Sequence, residues 1–314
     1  AYMHYNYLLA IQDLQPNKGK NKKSSIRQIV WKIRAKKVIL ATGSIERPLT
    51  FNNNDRPGIM LANSASKYLN GYGVNLGKKI VIFTNNDSAY QTAIDFHHQN
   101  IDITAVVDVR NNIEGDLPKI VKKLGIKIYS GSIISNTTGR RKIKTAHIKK
   151  INDNNVEVIN CDLLCMSGGW SPTVHLFTQS RGKLKFRDAD SCFVPDQAHQ
   201  KTISIGACNG TFDLKNILKE TYTSVNDFLN EEGKILDGEL YDAEKINIGK
   251  QENAWIVNKE NISKSKMFVD FQNDVTAKDI KTALSEGFQS IEHVKRYTTN
   301  GMATDHGKTS NVNA

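Results

Sequence analysis

The chain has 314 residues, of which 39% are hydrophobic, and a formal net charge of +11. That length holds two domains and a small extra module, and no apolar run approaches the roughly 18 residues of a membrane-spanning helix, so no membrane partner is expected. The lysines are spread among Asn and Ile, with short clusters only at Lys18–Lys23 and Arg140–Lys144 and no interleaved aromatics, which argues against a nucleic-acid partner and for solvated surface charge.

The four cysteines, Cys161, Cys165, Cys192 and Cys208, form no CxxC pair and have no histidine at metal-finger spacing. No metal site is therefore expected, and buried free thiols in a reducing, cytoplasmic setting fit best. The sequence opens on Ala1 and carries no signal peptide; it reads as an internal piece of a longer protein.

Ala1–Leu14 is aromatic-rich, and Gln15–Ser25 is a Lys/Asn/Gly loop. Ile26–Arg34 alternates apolar and polar residues and predicts a hairpin strand leading into Val38–Leu40. That short apolar run has the pattern of a strand buried on both faces. Ala41, Thr42 and Gly43 follow, all small, and Pro48 stops any regular element. Small residues at a strand's carboxyl end admit a cofactor, the place where ligands sit in open α/β sheets. A tight exit turn explains the triplet equally well.

Phe51–Gly58 is a turn-rich link. Asn63–Tyr72 has helical spacing and is closed by Gly71 and Gly73. Lys79–Thr84, Ser88–Gln99 and Ile103–Val109 read as strand, helix and strand, hence a βαβ unit and a parallel sheet. The turn Thr84–Ala89 contains no glycine, and Asp87 would repel a phosphate. This predicts a nucleotide-type fold that binds no dinucleotide at its usual place, with Asp108 structural. Leu117–Leu124 is a short helix and Ile126–Tyr129 a strand. Ile143–Ile148 and Val156–Ile159 form an antiparallel pair, and Leu163–Ser167 is a buried strand ending in Gly168 to Pro172.

Thr202–Gly206 is a strand whose end opens onto a helix, Leu214–Leu229, an arrangement suited to phosphate. Glu231–Lys264 is a polar linker or extended arm, apart from Trp255–Val257. Thr276 caps a helix, with Asp279 completing a weak capping box and Gly287 ending it; Ser290 caps a second helix, Ile291–Tyr297. Tyr297–Asn311 is polar and punctuated by glycine. It is either a functional loop or a surface connection.

Several stretches together resemble the alpha subunits of heterotetrameric sarcosine oxidases. They are ATGSIERP with FNNNDRPGIML, VIFTNNDSAY, AVVDVR, CMSGGWSPTVHLF, and FVDFQNDVTAKDI with GFQSIEHVKRYTTNGMATDHGKTSN. The resemblance covers nearly the whole chain apart from the linker. It implies an α/β fold of the two-dinucleotide-binding-domain flavoprotein type (FAD/NAD(P)-binding, Rossmann-type) with a small C-terminal helical module. Residues 1–50 and 171–233 would be the remainder of a first, FAD-like domain, and 51–170 an inserted second Rossmann-like domain. Residues 234–265 would be a linker, and 266–314 a helical module leading to a folate-binding domain.

The reaction so implied is oxidative demethylation of sarcosine to glycine. Electrons pass through FAD and covalent FMN to oxygen, giving hydrogen peroxide, and the one-carbon unit goes to tetrahydrofolate or leaves as formaldehyde. The resemblance places the substrate-oxidising FAD and the FMN attachment histidine in the beta subunit, and tetrahydrofolate elsewhere in the complex. Smaller subunits complete the set of partners. It gives the alpha subunit a bound NAD and one wall of the FMN site.

In FAD-binding relatives the last strand ends in Gly-Asp, whereas here Gly206 is followed by Ala207 and Cys208. NAD is therefore the expected occupant, with contacts at Thr42, Gly43, Gly206 and Ala207. Lys308 and Thr309, beside Gly307 and with Arg296 as a second charge, are expected near an anionic group of the flavin. The eight histidines are scattered and no Ser/His/Asp set or carboxylate pair stands out, so no catalytic residue is expected in this piece. An opine or amino-acid dehydrogenase subunit is disfavoured, because no cysteine cluster follows Cys208. A basic interaction protein with a vestigial nucleotide fold is the remaining alternative.

Overall fold

Ile80 to Phe83 is apolar without interruption, and this run forms the middle of a five-stranded parallel sheet. In order across the sheet the strands are Ile59–Leu61, Leu163–Ser167, Lys79–Thr84, Asp102–Asp108 and Ile128–Tyr129. Successive side chains point to opposite faces, so the run feeds two cores. Ile80 and Ile82 pack with Ala89, Ala93 and Phe96 under the helices Ala62–Tyr72, Ser88–His98 and Asp116–Lys123. Val81 and Phe83 pack with Ile134, Ile143 and Ile148 under a three-stranded antiparallel sheet of Val156–Asn160, Thr145–Lys150 and Ser132–Thr138. Each such buried Ile, Val or Phe side chain contributes about 1.5–3 kcal/mol. The helix Ala62–Tyr72 ends at Gly73 as predicted, whereas Gly71 is still helical and does not close it: Gly73 adopts φ +64° and donates its N–H to Leu69 O, while Val74 N–H reaches Tyr68 O.

This is a computed structural model, and it describes residues 1–14, 27–235, 237–257, 262 and 266–314. The Lys18–Lys23 cluster, the Gln15–Ser25 loop, Ile26 and most of residues 258–265 lie outside the described residues. The chain divides into two compact units. One is Ala1–Ser44, Pro172–Arg187 and Cys192–Lys245; the other is Ile45–Ser171, Asp188–Ser191 and Ile246–Ala314.

In the first unit, Val38–Leu40 pairs in parallel with Thr202–Ser204, beside a small core of Tyr2, Val38, Leu40, Phe177 and Cys208. The expectation that Val38–Leu40 is buried on both faces is corrected: Val38 and Leu40 are buried, but Ile39 is 36% exposed. Three apolar residues in a row do not distinguish a one-faced from a two-faced strand. Two antiparallel ribbons join this pair, Tyr7–Asp13 with Gln28–Arg34 and Lys183–Arg187 with Cys192–Gln197. The helix Leu214–Glu231 starts at Asp213, whose side chain accepts from Asn216 N–H at 3.0 Å.

In the second unit the helix Ala277–Ser285 has the predicted capping box. Thr276 N–H donates to Asp279 Oδ2 at 2.8 Å, and Thr276 Oγ1 accepts from Asp279 N–H at 3.4 Å. Thr276→Ala is expected to cost about 1 kcal/mol, read as a lowered urea midpoint, with Thr276→Ser close to wild type. Ser290 does not cap as predicted. It holds the N-cap position of Ile291–Thr298 without a side-chain capping bond.

The glycine-punctuated C-terminal stretch is a run of packed turns, not a solvated connection. Gly301 N–H donates to the buried Asp270 carboxylate at 2.7 Å, Asn313 Nδ2 donates to Pro48 O at 2.9 Å, and Ser310 is fully buried. The four cysteines are free and buried, as expected. Burial, aided by Asp162, pushes the Cys161 thiol up to about 12.

Candidate functional site

The parallel register sets Ser204 beside Leu40, and Ile205 N–H continues the pairing to Leu40 O. The structure thus brings Thr42 and Gly43 and Gly206 and Ala207 to the level carboxyl ends of two neighbouring strands. Thr42 Oγ1 donates to Thr173 O, and Gly43 O accepts from Thr173 N–H. Gly43 has φ +71° and open space where a side chain would stand. Gly206, at φ +69°, is buried and begins a short 3₁₀ turn, Gly206–Asn209.

Gly206 N–H is already used. It donates to Glu220 Oε2 at 3.0 Å, and Asn209 Nδ2 donates to Glu220 Oε1. The strand end that the sequence presents as a phosphate cradle is therefore closed by a carboxylate. An anion there meets a like charge, whereas a sugar hydroxyl, which can donate, finds an acceptor. Glu220 was not foreseen. Its only signal is its place one turn after Ile217, the residue that a Cβ on Gly206 would touch at 3.3 Å.

Thr309 lines a pocket of about 230 Å³ with Pro48, Asn54, Ile59, Leu61, Met166 and Phe271 among its walls. The Thr309 hydroxyl donates to Asp305 Oδ2 at 3.0 Å. Asp305 is held below the usual carboxylate range by hydrogen bonds from Gly307 and Thr309 and by the nearby Lys308 charge, against the opposing effect of burial. Of the two predicted residues, Lys308 carries the positive charge, while the Thr309 donor is committed within the loop. Arg296 is exposed.

At the nucleotide-type turn of the second unit, Asp87 and Asp108 are 2% and 0% exposed. Both contact the Arg110 guanidinium at 2.7 Å. Tyr90 OH donates to Asp108 Oδ2 at 2.7 Å, and Arg110 Nε donates to Asp108 Oδ1 at 3.0 Å. Burial alone would depress Arg110, but the two carboxylates outweigh it and hold the guanidinium charged. Asp108 is thus structural, as the missing glycines implied. Asn86 Nδ2 crosses to Ser167 Oγ at 3.1 Å and ties together the ends of the two central strands.

Glu46 is the second residue that sequence reading missed. It is 5% exposed, Oε2 accepts from Asn63 N–H at 2.9 Å, and Oε1 is buried without a hydrogen-bond partner. Burial raises its carboxyl to about 7, opposed by the bonds from Asn63 and Ser167. An acid between apolar Ile45 and Pro48 was the available signal. Among the described residues no group of three His, Cys, Asp or Glu side chains could hold a metal ion, and no helix is long and apolar enough to cross a membrane.

A parallel nucleotide-type sheet with helices on one face and an antiparallel sheet on the other, inserted between the pieces of a second parallel pair, defines the class. The fold is an α/β, Rossmann-type arrangement with a small C-terminal helical module. An L-proline dehydrogenase from P. horikoshii shares it with a TM-score of 0.63 at 19% identity, over 91% of this chain and 55% of that one. Residues 264–314 match the sarcosine oxidase A3 domain family. Sarcosine oxidase subunit alpha of Corynebacterium sp. (strain U-96) is 34% identical over 320 residues, covering 98% of this chain and 33% of that protein. The corresponding subunit of Rhizobium meliloti (strain 1021) is 35% identical over 285 residues, 91% of this chain and 28% of that protein. The chain spans about a third of the length of these curated relatives. Nearly end to end it is similar to a stretch of sarcosine oxidase alpha subunits, the proteins that its motifs resemble.

Proposed function

We propose that this chain is the part of a sarcosine oxidase alpha subunit that holds NAD and walls a flavin site, with the substrate-oxidising chemistry in a partner subunit. The observation that carries the reading is the 34% identity to sarcosine oxidase subunit alpha over 98% of the chain. One feature of the first unit supports NAD over FAD: Ala207 and Cys208 stand where a flavin-binding acid would follow Gly206; the open space at Gly43 leaves room for a dinucleotide. Thr42, Gly43, Gly206 and Ala207 line the NAD contact, with Glu220 taking a ribose hydroxyl. The NAD phosphates lie away from Glu220, because a carboxylate repels them. The flavin is FMN shared with the beta subunit, and Lys308 supplies the cation facing its phosphate, with Thr309 buttressing the loop through Asp305. FAD and tetrahydrofolate belong to other parts of the complex, whose smaller subunits are further partners.

Within this assignment sarcosine is demethylated to glycine, oxygen is reduced to hydrogen peroxide, and the one-carbon unit leaves as formaldehyde or methylenetetrahydrofolate. The chain's own residues bind and orient; none acts as acid or base. The test is to denature the purified full-length complex and identify the nucleotides released. NAD is expected alongside the flavins. Replacing Gly43 by valine is expected to reduce the NAD released while leaving FAD content unchanged. A complex active on sarcosine that releases flavins and no NAD overturns the assignment.

A further inference from the structure

In an open α/β sheet a dinucleotide lies across the carboxyl ends of the strands where their order reverses. In the second unit those are the ends of Leu163–Ser167, Lys79–Thr84 and Asp102–Asp108, and the chain's own residues 246–252 lie across all of them. Asn247 and Asp116 exchange backbone and side-chain bonds at 2.9–3.0 Å at the start of the helix Asp116–Lys123. Gly249 N–H donates to Asp87 Oδ2 at 2.6 Å, and Lys250 O accepts from Arg110 Nη1 at 3.1 Å. Gln251 lies against Gly169, where a Cβ would meet its Oε1 at 2.5 Å. Asn85 and Glu252 are joined twice: Asn85 Nδ2 donates to Glu252 O at 2.7 Å, and Glu252 N–H donates to Asn85 O at 3.2 Å.

We propose that residues 246–252 are a built-in occupant of this crevice, a strap that takes the place of a dinucleotide in the second unit. The chemistry is that of a phosphate loop with the partners exchanged. A phosphate loop offers backbone N–H groups and glycine to an incoming anion. Here the anion, Asp87, belongs to the turn, and the N–H and the glycine belong to the strap. A Cβ on Gly249 would lie 3.2 Å from Asp87 Oδ2 and Gly115 N and 3.3 Å from Arg110 Nη1. Any side chain there is crowded by all three while the strap is seated, and nothing in its own backbone favours glycine, since its φ is not positive. The missing glycines of the Thr84–Ala89 turn and the polar character of residues 246–252 thus have one explanation. A dinucleotide enters the second unit only if the strap leaves.

The test is hydrogen exchange on the full-length subunit in its complex, comparing wild type with Gly249→Val. Wild type is expected to protect the amides of Asn247, Gly249 and Glu252. Valine is expected to unseat the strap and speed exchange over residues 247–252 about tenfold or more, with Ile80–Thr84 and Val106–Asp108 unchanged. Should valine also loosen those core amides, Asn247→Ala, at an exposed position, is expected to give a smaller rise confined to the strap. Free-peptide exchange rates in wild type overturn the proposal, as does unaltered protection in both variants. The result does not depend on which nucleotide, if any, the first unit holds.

Discussion

Replacing Arg110 by methionine is expected to cost about 3–5 kcal/mol of stability, the usual price of stripping one partner from a buried ion network. Arg110, Asp87 and Asp108 are 3%, 2% and 0% exposed, so water cannot replace the lost charge. Methionine fills much of the volume, and the loss is therefore electrostatic rather than a cavity effect. Asp108 keeps the Tyr90 hydroxyl and the backbone N–H of residue 110. Asp87 keeps Gly249 N–H. Neither contact carries a full positive charge. In the variant both buried carboxylates are left without a cationic partner, which is the source of the loss. Calorimetric or urea unfolding of the full-length protein measures it. Adding Asp87→Asn and Asp108→Asn to the methionine variant should recover part of the loss. A deficit under about 1 kcal/mol at pH 7 means that the network is not the electrostatic lock described.

The parallel sheet was legible because its evidence is one-dimensional. The runs Ile80–Phe83 and Leu163–Met166 are buried on both faces, and such strands read as near-continuous apolar runs. Asp108 is structural in a way the sequence hinted at: the turn beside it has no glycines, and the fold buries its carboxylate against Arg110 and Tyr90. The strand Ser132–Thr138 was not seen, since SIISNTT alternates in burial while carrying hydroxyls and an amide on both faces. Ser135 and Thr137 are buried there with their hydroxyls donated to His147 O and Asn53 O. Composition does not reveal a polar group that the fold satisfies. The strap was hidden for the same reason. Its bonds are largely backbone bonds, which any sequence can make, and its one compositional mark is Gly249. Glu220 and Glu46 are acids that the fold turns inward onto backbone N–H groups, and an isolated Glu in a sequence reads as surface.

Glu46→Gln is expected to stabilise the protein above pH 7 and to leave it nearly unchanged at and below about pH 4. The carboxyl of Glu46 sits at the start of the helix Ala62–Tyr72, which has no acidic residue in its first turn and no side-chain cap. Its bond from Asn63 N–H and the positive end of the helix favour the charged form. Burial favours the neutral form and wins, raising the group from 4.5 to about 7. The folded state therefore holds a proton, between about pH 4.5 and 7, that the unfolded state has released. The stabilising contribution is complete below the unfolded value and is lost as pH rises from there to about 7, at up to about 1.4 kcal/mol per pH unit and about 3 kcal/mol in all. Glutamine reproduces the shape of the protonated acid but cannot ionise, so it escapes that loss. Cys165, pushed up by burial and by the Glu46 charge, stays protonated throughout this range. The measurement is the urea midpoint of both proteins at half-unit steps from pH 4 to 8.5. The two curves should lie close together at the acid end, separate between about pH 4.5 and 7, and run parallel above that with the glutamine variant the more stable. Curves parallel over the whole range would mean that Glu46 is ionised in the folded protein as readily as in the unfolded one, and that the helix N-terminus, not burial, governs it.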